Sequence, residues 1–105
     1  MVARSRHKNL GRLLAKTQIL SLIEYKRDLK LAEKRKKKIS KLGDVIKILI
    51  NEEILDEKYR DHKLSGNYAN HRECHVEPDW LLIYRVVGNE IHFVRTGTHS
   101  DLFGK

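Results

Sequence analysis

The stretch WLLIYRVVGNEIHFVRTG, Trp80 to Gly97, limits the fold more than any other part of the chain. Trp80 to Val87 is a strongly apolar run of strand-forming residues, and Glu90 to Gly97 reads as a second strand. Gly88-Asn89 between them is a two-residue hairpin signal, with glycine supplying the positive φ. Upstream, His71, Glu73 and His75 alternate with Arg72, Cys74 and Val76 at the period of a strand. Pro78 in EPDW stands at the second position of a four-residue turn, where its fixed φ fits. Three consecutive antiparallel strands are therefore expected from His71 onward.

The helices precede them. Tyr25, Leu29 and Ala32 fall at helical spacing within Tyr25 to Lys38. The other face of that helix is basic, with Lys26, Arg27, Lys30, Lys34, Arg35, Lys36, Lys37 and Lys38. A second helix is expected over Ile39 to Asn51, with Leu42, Val45, Ile46, Leu49 and Ile50 as its apolar stripe. The pair reads as a helical hairpin that covers one face of a sheet. QILSLIE, Gln18 to Glu24, is short and apolar and is taken as a first strand. Glu52 to Gly66 has no period and reads as a loop, and the residues after Gly97 are too few for a domain. The expected fold is α+β, in the order β-α-α-β-β-β: a small, mainly antiparallel sheet with a helical hairpin on one face. Residues 1–17 are expected to form a basic extension, disordered or loosely helical, ahead of one domain over 18–105. The basic, acid-poor start resembles a transit peptide but lacks its serine content and a cleavage site.

Charge and cysteine content narrow the function. The 105 residues carry a net charge of +8, which suits a polyanionic or acidic partner. The single cysteine, Cys74, excludes an internal disulfide framework and fits a reducing cytoplasm. No apolar run approaches the ~18 residues of a membrane span.

The ionisable cluster HRECHVEPDW is the candidate for chemistry. Alternation places Cys74 and Val76 on one face, under the helices, and Glu73 and His75 on the open one. Asp79 follows the turn, and the chain after Gly97 returns toward the same side, bringing His99 near His75 and Asp79. His62 lies in the loop that leads into the strand carrying His75. Imidazoles titrate near neutrality, so two of them can serve as acid and base in one reaction. RNA cleavage needs that pair, one to take the 2′-hydroxyl proton and one to protonate the leaving 5′-oxygen. Arg95 or Arg72 can stabilise the phosphate charge, and Trp80, Tyr68 or Phe103 can stack on a base. Cys74, His75, His62 and His99 are zinc-ligand types, but no CxxC, HExxH or HxxxH spacing occurs and adjacent Cys74 and His75 face opposite ways. No metal and no cofactor is expected.

In sum, YRDHKLSGNY, HRECHVEPDWLLIYRV and EIHFVRTGTHSDLF, in this order, resemble the YafQ branch of the RelE/ParE toxin superfamily over about Tyr25 to Phe103. The resemblance implies a bacterial type II toxin: a metal-independent mRNA endoribonuclease acting on translating ribosomes in the cytoplasm. It implies a DinJ/RelB-type antitoxin as partner, with operator DNA met only through the complex. It assigns His62, His75, Asp79 and His99 to catalysis, His99 as proton donor to the leaving oxygen. Arg95 and Phe103 become substrate contacts, while Glu73 is a position where close relatives vary. Lys63 stands where the family often has proline and adds a phosphate contact; Tyr68 stands where tryptophan is common. The competing functions are a non-nuclease interaction protein of the same fold and an RNA-binding module without cleavage.

Overall fold

The computed structural model of the chain describes residues 2–4 and 16–104. Its elements run β1 (Val2–Arg4), α1 (Lys16–Lys34), α2 (Ile39–Ile50), β2 (His62–Lys63), β3 (Arg72–Glu77), β4 (Trp80–Val87), β5 (Glu90–Gly97) and α3 (His99–Phe103). Short 3₁₀ turns at Glu57–Tyr59 and Gly66–Tyr68 flank β2. The strands form one sheet in the order β1-β5-β4-β3-β2, with every neighbouring pair antiparallel. The α+β class, the antiparallel sheet and the helical pair on one face agree with expectation.

The two β-turns behave as their residues demand. Gly88 has φ +59, a conformation that only glycine adopts without steric cost. Pro78 and Asp79 make the turn between β3 and β4, and β4 and β5 have the bounds read from the sequence. Cys74, Val76, Trp80, Leu82, Tyr84, Ile91 and Phe93 face the helices and close a core with Tyr25, Ala32, Leu42 and Val45. Trp80 is 1% exposed and its indole N–H donates to Thr96 Oγ1 at 3.0 Å, so the one polar atom of the ring is satisfied inside the core. A register shift pairs Ile83 with Arg95 but Tyr84 with Phe93, leaving Val94 as the extra residue. Val94 thereby joins Leu81, Ile83 and Leu102 in a smaller cluster on the opposite face, with Leu64 and Tyr68 against it.

Both long helices stop without glycine. Lys36 takes φ +60 after α1; Lys37 N–H donates to Ala32 C=O and Lys36 N–H to Glu33 C=O. Glu52 does the same after α2, with Glu53 N–H to Ile48 C=O and Glu52 N–H to Leu49 C=O. These are the paired bonds of a left-handed helix stop, which use up the last carbonyls.

Three expectations change. Gln18 to Glu24 is not a strand; it lies within α1, whose inward residues Leu29 and Tyr25 continue back to Leu22 at the same spacing. The strand that precedes the helices is Val2–Arg4, paired with Ile91, His92 and Glu90 of β5. The boundary placed between residues 17 and 18 falls inside α1; of the extension expected over 1–17, residues 2–4 form β1, residues 16 and 17 begin α1, and residues 1 and 5–15 lie outside the described ones. The C-terminal residues also form a helical turn, α3. Among the described residues no helix is long and apolar enough to cross a membrane.

Candidate active site

Alternation along β3 sends Glu73 and His75 to the face away from α1 and α2. There β2 adds a short edge strand, and its register sets His62 opposite Glu73. His62 Nε2 lies 3.1 Å from Glu73 Oε2. Its Nδ1 lies 2.7 Å from the carbonyl oxygen of Arg60, a residue held at φ +50. Both ring nitrogens thus face acceptors, and the ring orientation is fixed from two sides.

His99 is placed by the segment Gly97-Thr98-His99-Ser100-Asp101. A Cβ on Gly97 would come within 3.0 Å of the Asp101 carboxylate, so glycine allows the close approach. Thr98 caps α3: its hydroxyl accepts from Asp101 N–H while Asp101 accepts from Thr98 N–H. Arg35, at the end of α1, donates to both Asp101 oxygens and holds that carboxyl well below the usual range. The basic run is therefore partly structural, since Lys37 and Lys41 also clasp Glu77 at the end of β3. With α3 so fixed, His99 donates its backbone N–H to Asp79 Oδ1 at 2.9 Å, and its Nδ1 lies 2.6 Å from the same oxygen. These two contacts, the backbone N–H first, lower the Asp79 pKa and keep it ionised.

The three imidazoles stand in a row. The His62 and His75 ring centroids are 6.0 Å apart, and those of His75 and His99 are 5.8 Å apart. His75 in the middle is only 9% exposed. Burial chiefly lowers its pKa; Glu73 opposes this, while Arg60, His99 and His62 reinforce it. His75 is therefore neutral at neutral pH, with a lone pair available. Its Nδ1 and Glu73 Oε1 are buried without hydrogen-bond partners.

The remaining candidates divide. Tyr68 and Phe103 meet edge to face at 6.0 Å, and Phe103 is exposed, so an aromatic edge is offered to solvent. Lys63 is exposed on β2. Arg95 sends Nε and Nη2 to Asp28 of α1, at 2.7 and 3.1 Å, and Nη1 lies 3.6 Å from Glu24. Its charge is thus largely committed to holding α1 against β5. Two candidates are corrected. Arg72 shares the parity of Cys74 and Val76, so it lies on the helix side, bound through Nε and Nη2 to Asp61, which also accepts from Tyr84 Oη. Trp80 is core and has no face to give a base.

Cys74 drops out as a metal ligand as well. It is fully buried under the helices, where loss of water pushes its thiol up to about 12. Glu73 takes its place: one donor atom each of His62, Glu73 and His75 lie within 4.8 Å of one another. The alternation already set Glu73 beside His75, but nothing in the sequence announced the two-residue strand that brings His62 across from it. Arg60 was also missed, because its part rests on a left-handed backbone and a carbonyl rather than on its side-chain type.

Comparison with known proteins bears on the same residues. The model of the family described as bacterial toxin of type II toxin-antitoxin system, YafQ, matches residues 17–104. The mRNA interferase toxin YafQ of Escherichia coli K12 is 46% identical over 82 residues, which cover 77% of this chain and 89% of that protein. The toxin in the crystal structure of the E. coli DinJ-YafQ toxin-antitoxin complex superposes with a TM-score of 0.73 at 46% identity, covering 77% of this chain and 90% of that one. A metal-bound toxin from Helicobacter pylori superposes with a TM-score of 0.71 at 39% identity, covering 76% of this chain and 91% of that one.

Proposed function

The chain belongs to the YafQ family of bacterial type II toxins, and from that premise we propose that it is an mRNA interferase whose own imidazoles carry the acid–base chemistry. The observation that carries the proposal is the row Asp79–His99–His75–His62 on the open face of the sheet.

His75, kept neutral by burial, takes the proton of the substrate 2′-hydroxyl. The 2′-oxygen then bonds to the adjacent phosphorus. As the P–O5′ bond breaks, His99 gives its Nε2 proton to the leaving 5′-oxygen, so the products are a 2′,3′-cyclic phosphate and a 5′-hydroxyl. Asp79, holding Nδ1–H, orients the ring and steadies the charged imidazolium. His62, its ring held between the Arg60 carbonyl and Glu73, stands beside His75 where it can contact the phosphate. Lys63 adds a phosphate contact, and Phe103, propped by Tyr68, stacks on a base. Arg95 supports this face through α1 more than it contacts substrate. None of these steps needs a cation.

The partner is a DinJ-type antitoxin, through which operator DNA is met, and the setting is the cytoplasm. Exposed Lys26, Arg27, Lys30, Lys34, Lys36 and Lys38 suit ribosomal phosphates, contacts that weaken as salt rises.

The test is a pH profile on a short RNA with chelator-treated protein. Cleavage is expected to persist in EDTA. Its acid limb is expected below the ordinary histidine value of about 6.5, because a base with a lowered pKa stays unprotonated to lower pH. Activity abolished by EDTA and restored by magnesium would refute the proposal.

A further inference from the structure

We propose that the cleft between Arg60 and the first turns of α2 is the subsite for the nucleotide on the 5′ side of the cut. Arg60 and Lys58 hold the 5′-phosphate of that nucleotide, so the mRNA runs from Arg60 past His75 to Phe103. The inference rests on the assignment of His75 as base and His99 as acid, and adds to it a direction for the strand.

β2 pairs only with Arg72 and Glu73, so among the described residues no strand covers the outer edge of β3 from Cys74 onward. The 3₁₀ turn Glu57–Tyr59 stands against that edge instead, and a cleft of about 390 Å³ remains between it and α2. That volume lies within the roughly 300–1,000 Å³ usual for small-ligand clefts. Lys41, Asp44, Lys58, Arg60 and His75 are among the residues that line it, whereas His99 and Phe103 are not. Its cations differ in what they already hold. Lys41 is bound to Glu77, and elsewhere Arg35, Arg72 and Arg95 are each bound to a carboxylate through two nitrogens. Arg60 is exposed and meets His62 through its carbonyl; among the described residues its guanidinium has no ion pair. Lys58 Nζ lies 5.1 Å from the Tyr59 ring centroid, which keeps a second cation at the cleft wall. Burial chiefly lowers the His75 pKa and the Arg60 charge adds to that lowering, so the guanidinium acts on the same small space as the base.

Direction follows from the chemistry. When a neighbouring hydroxyl attacks, the base stands at the 2′-oxygen of the upstream nucleotide and the acid at the 5′-oxygen of the downstream one. Those two oxygens lie roughly in line through the phosphorus. His75 and His99, with ring centroids 5.8 Å apart, bracket one phosphate. The strand therefore enters on the His75 side and leaves on the His99 side. The first side has the cleft; the second has exposed Phe103, at the other end of α3 from His99. A guanidinium with no carboxylate partner is well shaped for the incoming phosphate, which it meets through two parallel N–H bonds.

Kinetics of the full chain on a short RNA that the wild type cleaves, with one phosphate at a time made neutral as a methylphosphonate, test the subsite. Neutralising the phosphate 5′ of the attacking nucleotide is expected to lower kcat/KM of the wild type by roughly 10–100-fold, the worth of hydrogen bonds to a charged group. Arg60→Ala keeps the carbonyl that His62 meets. It is expected to lower kcat/KM for the unmodified RNA to a similar extent, mostly through KM, and to lose little more when that phosphate is neutral. Arg60→Lys, which keeps the charge, is expected to recover most of the loss, and Lys58→Ala to repeat the alanine pattern more weakly, with circular dichroism reporting the fold of each. Neutralising the phosphate that follows the downstream nucleotide is expected to slow the wild type and Arg60→Ala alike. If both folded alanine variants are as sensitive to the upstream neutral phosphate as the wild type, the subsite is overturned. Coupling of Arg60 to the downstream phosphate instead overturns the direction. The cut ends read the underlying assignment separately. Cyclic phosphate ends without upstream coupling overturn the subsite and leave His75 and His99 in their roles; 3′-hydroxyl ends from the wild type overturn those roles and the direction together.

Discussion

Replacing His99 by alanine is expected to slow RNA cleavage by about 10²–10⁴-fold, the contribution of one positioned proton-transfer group. The fold should be nearly indifferent to the change. The His99 side chain is close to half exposed, and the contact that starts α3 uses its backbone N–H, which alanine retains. A stability change within about 0.5 kcal/mol is therefore expected, as for an ordinary surface substitution. Antitoxin binding should persist. His99→Gln sharpens the result, since an amide can still donate to Asp79 but has no proton to release at the leaving oxygen. It should be as slow as His99→Ala. Primer extension on cellular mRNA, beside thermal melts of both variants, reads the outcome. Cleavage within a few-fold of the wild type by either folded variant would remove His99 from the chemistry.

Replacing Trp80 by alanine is expected to cost about 3–5 kcal/mol, the range for emptying an aromatic site in a packed core. The ring fills the space between β4 and the helices, and its loss also removes the donor to Thr96. A domain of this size has only about 5–15 kcal/mol of stability, so the variant should unfold at much lower urea or remain insoluble. Trp80→Phe should cost less and keep cleavage within a few-fold. Because Trp80 is the chain's only tryptophan, its fluorescence reports on it alone. Weak acrylamide quenching, unchanged by RNA, is expected of a core residue; strong quenching relieved by RNA would return it to the substrate surface.

Much of this arrangement was legible because strands with one buried face write their alternation into sequence. Trp80–Val87, Glu90–Gly97 and the Gly88-Asn89 turn could be read directly, as could the sorting of Cys74 from His75. The same parity already placed Arg72 under the helices, against its assignment as a phosphate contact. Gln18 to Glu24 went astray because seven mostly apolar residues carry too little period to separate strand from helix. Only continuity with Leu22, Tyr25 and Leu29 decides it. β1 is three residues long and held by pairing with β5, a long-range partnership that local pattern cannot disclose. The convergence of His62, His75 and His99 followed from topology. The pairing of His62 with Glu73 did not, since it needs a two-residue strand and a left-handed Arg60.

The most direct measurement of the proposed chemistry is the identity of the cut ends. A short RNA cleaved by chelator-treated protein can be read by mass spectrometry without any assumption about which codon is preferred. Attack by the neighbouring 2′-oxygen, with His75 as base and His99 as acid, is expected to leave a 2′,3′-cyclic phosphate and a 5′-hydroxyl. A 3′-hydroxyl with a 5′-phosphate would mean that water attacked instead, and would contradict the assignment.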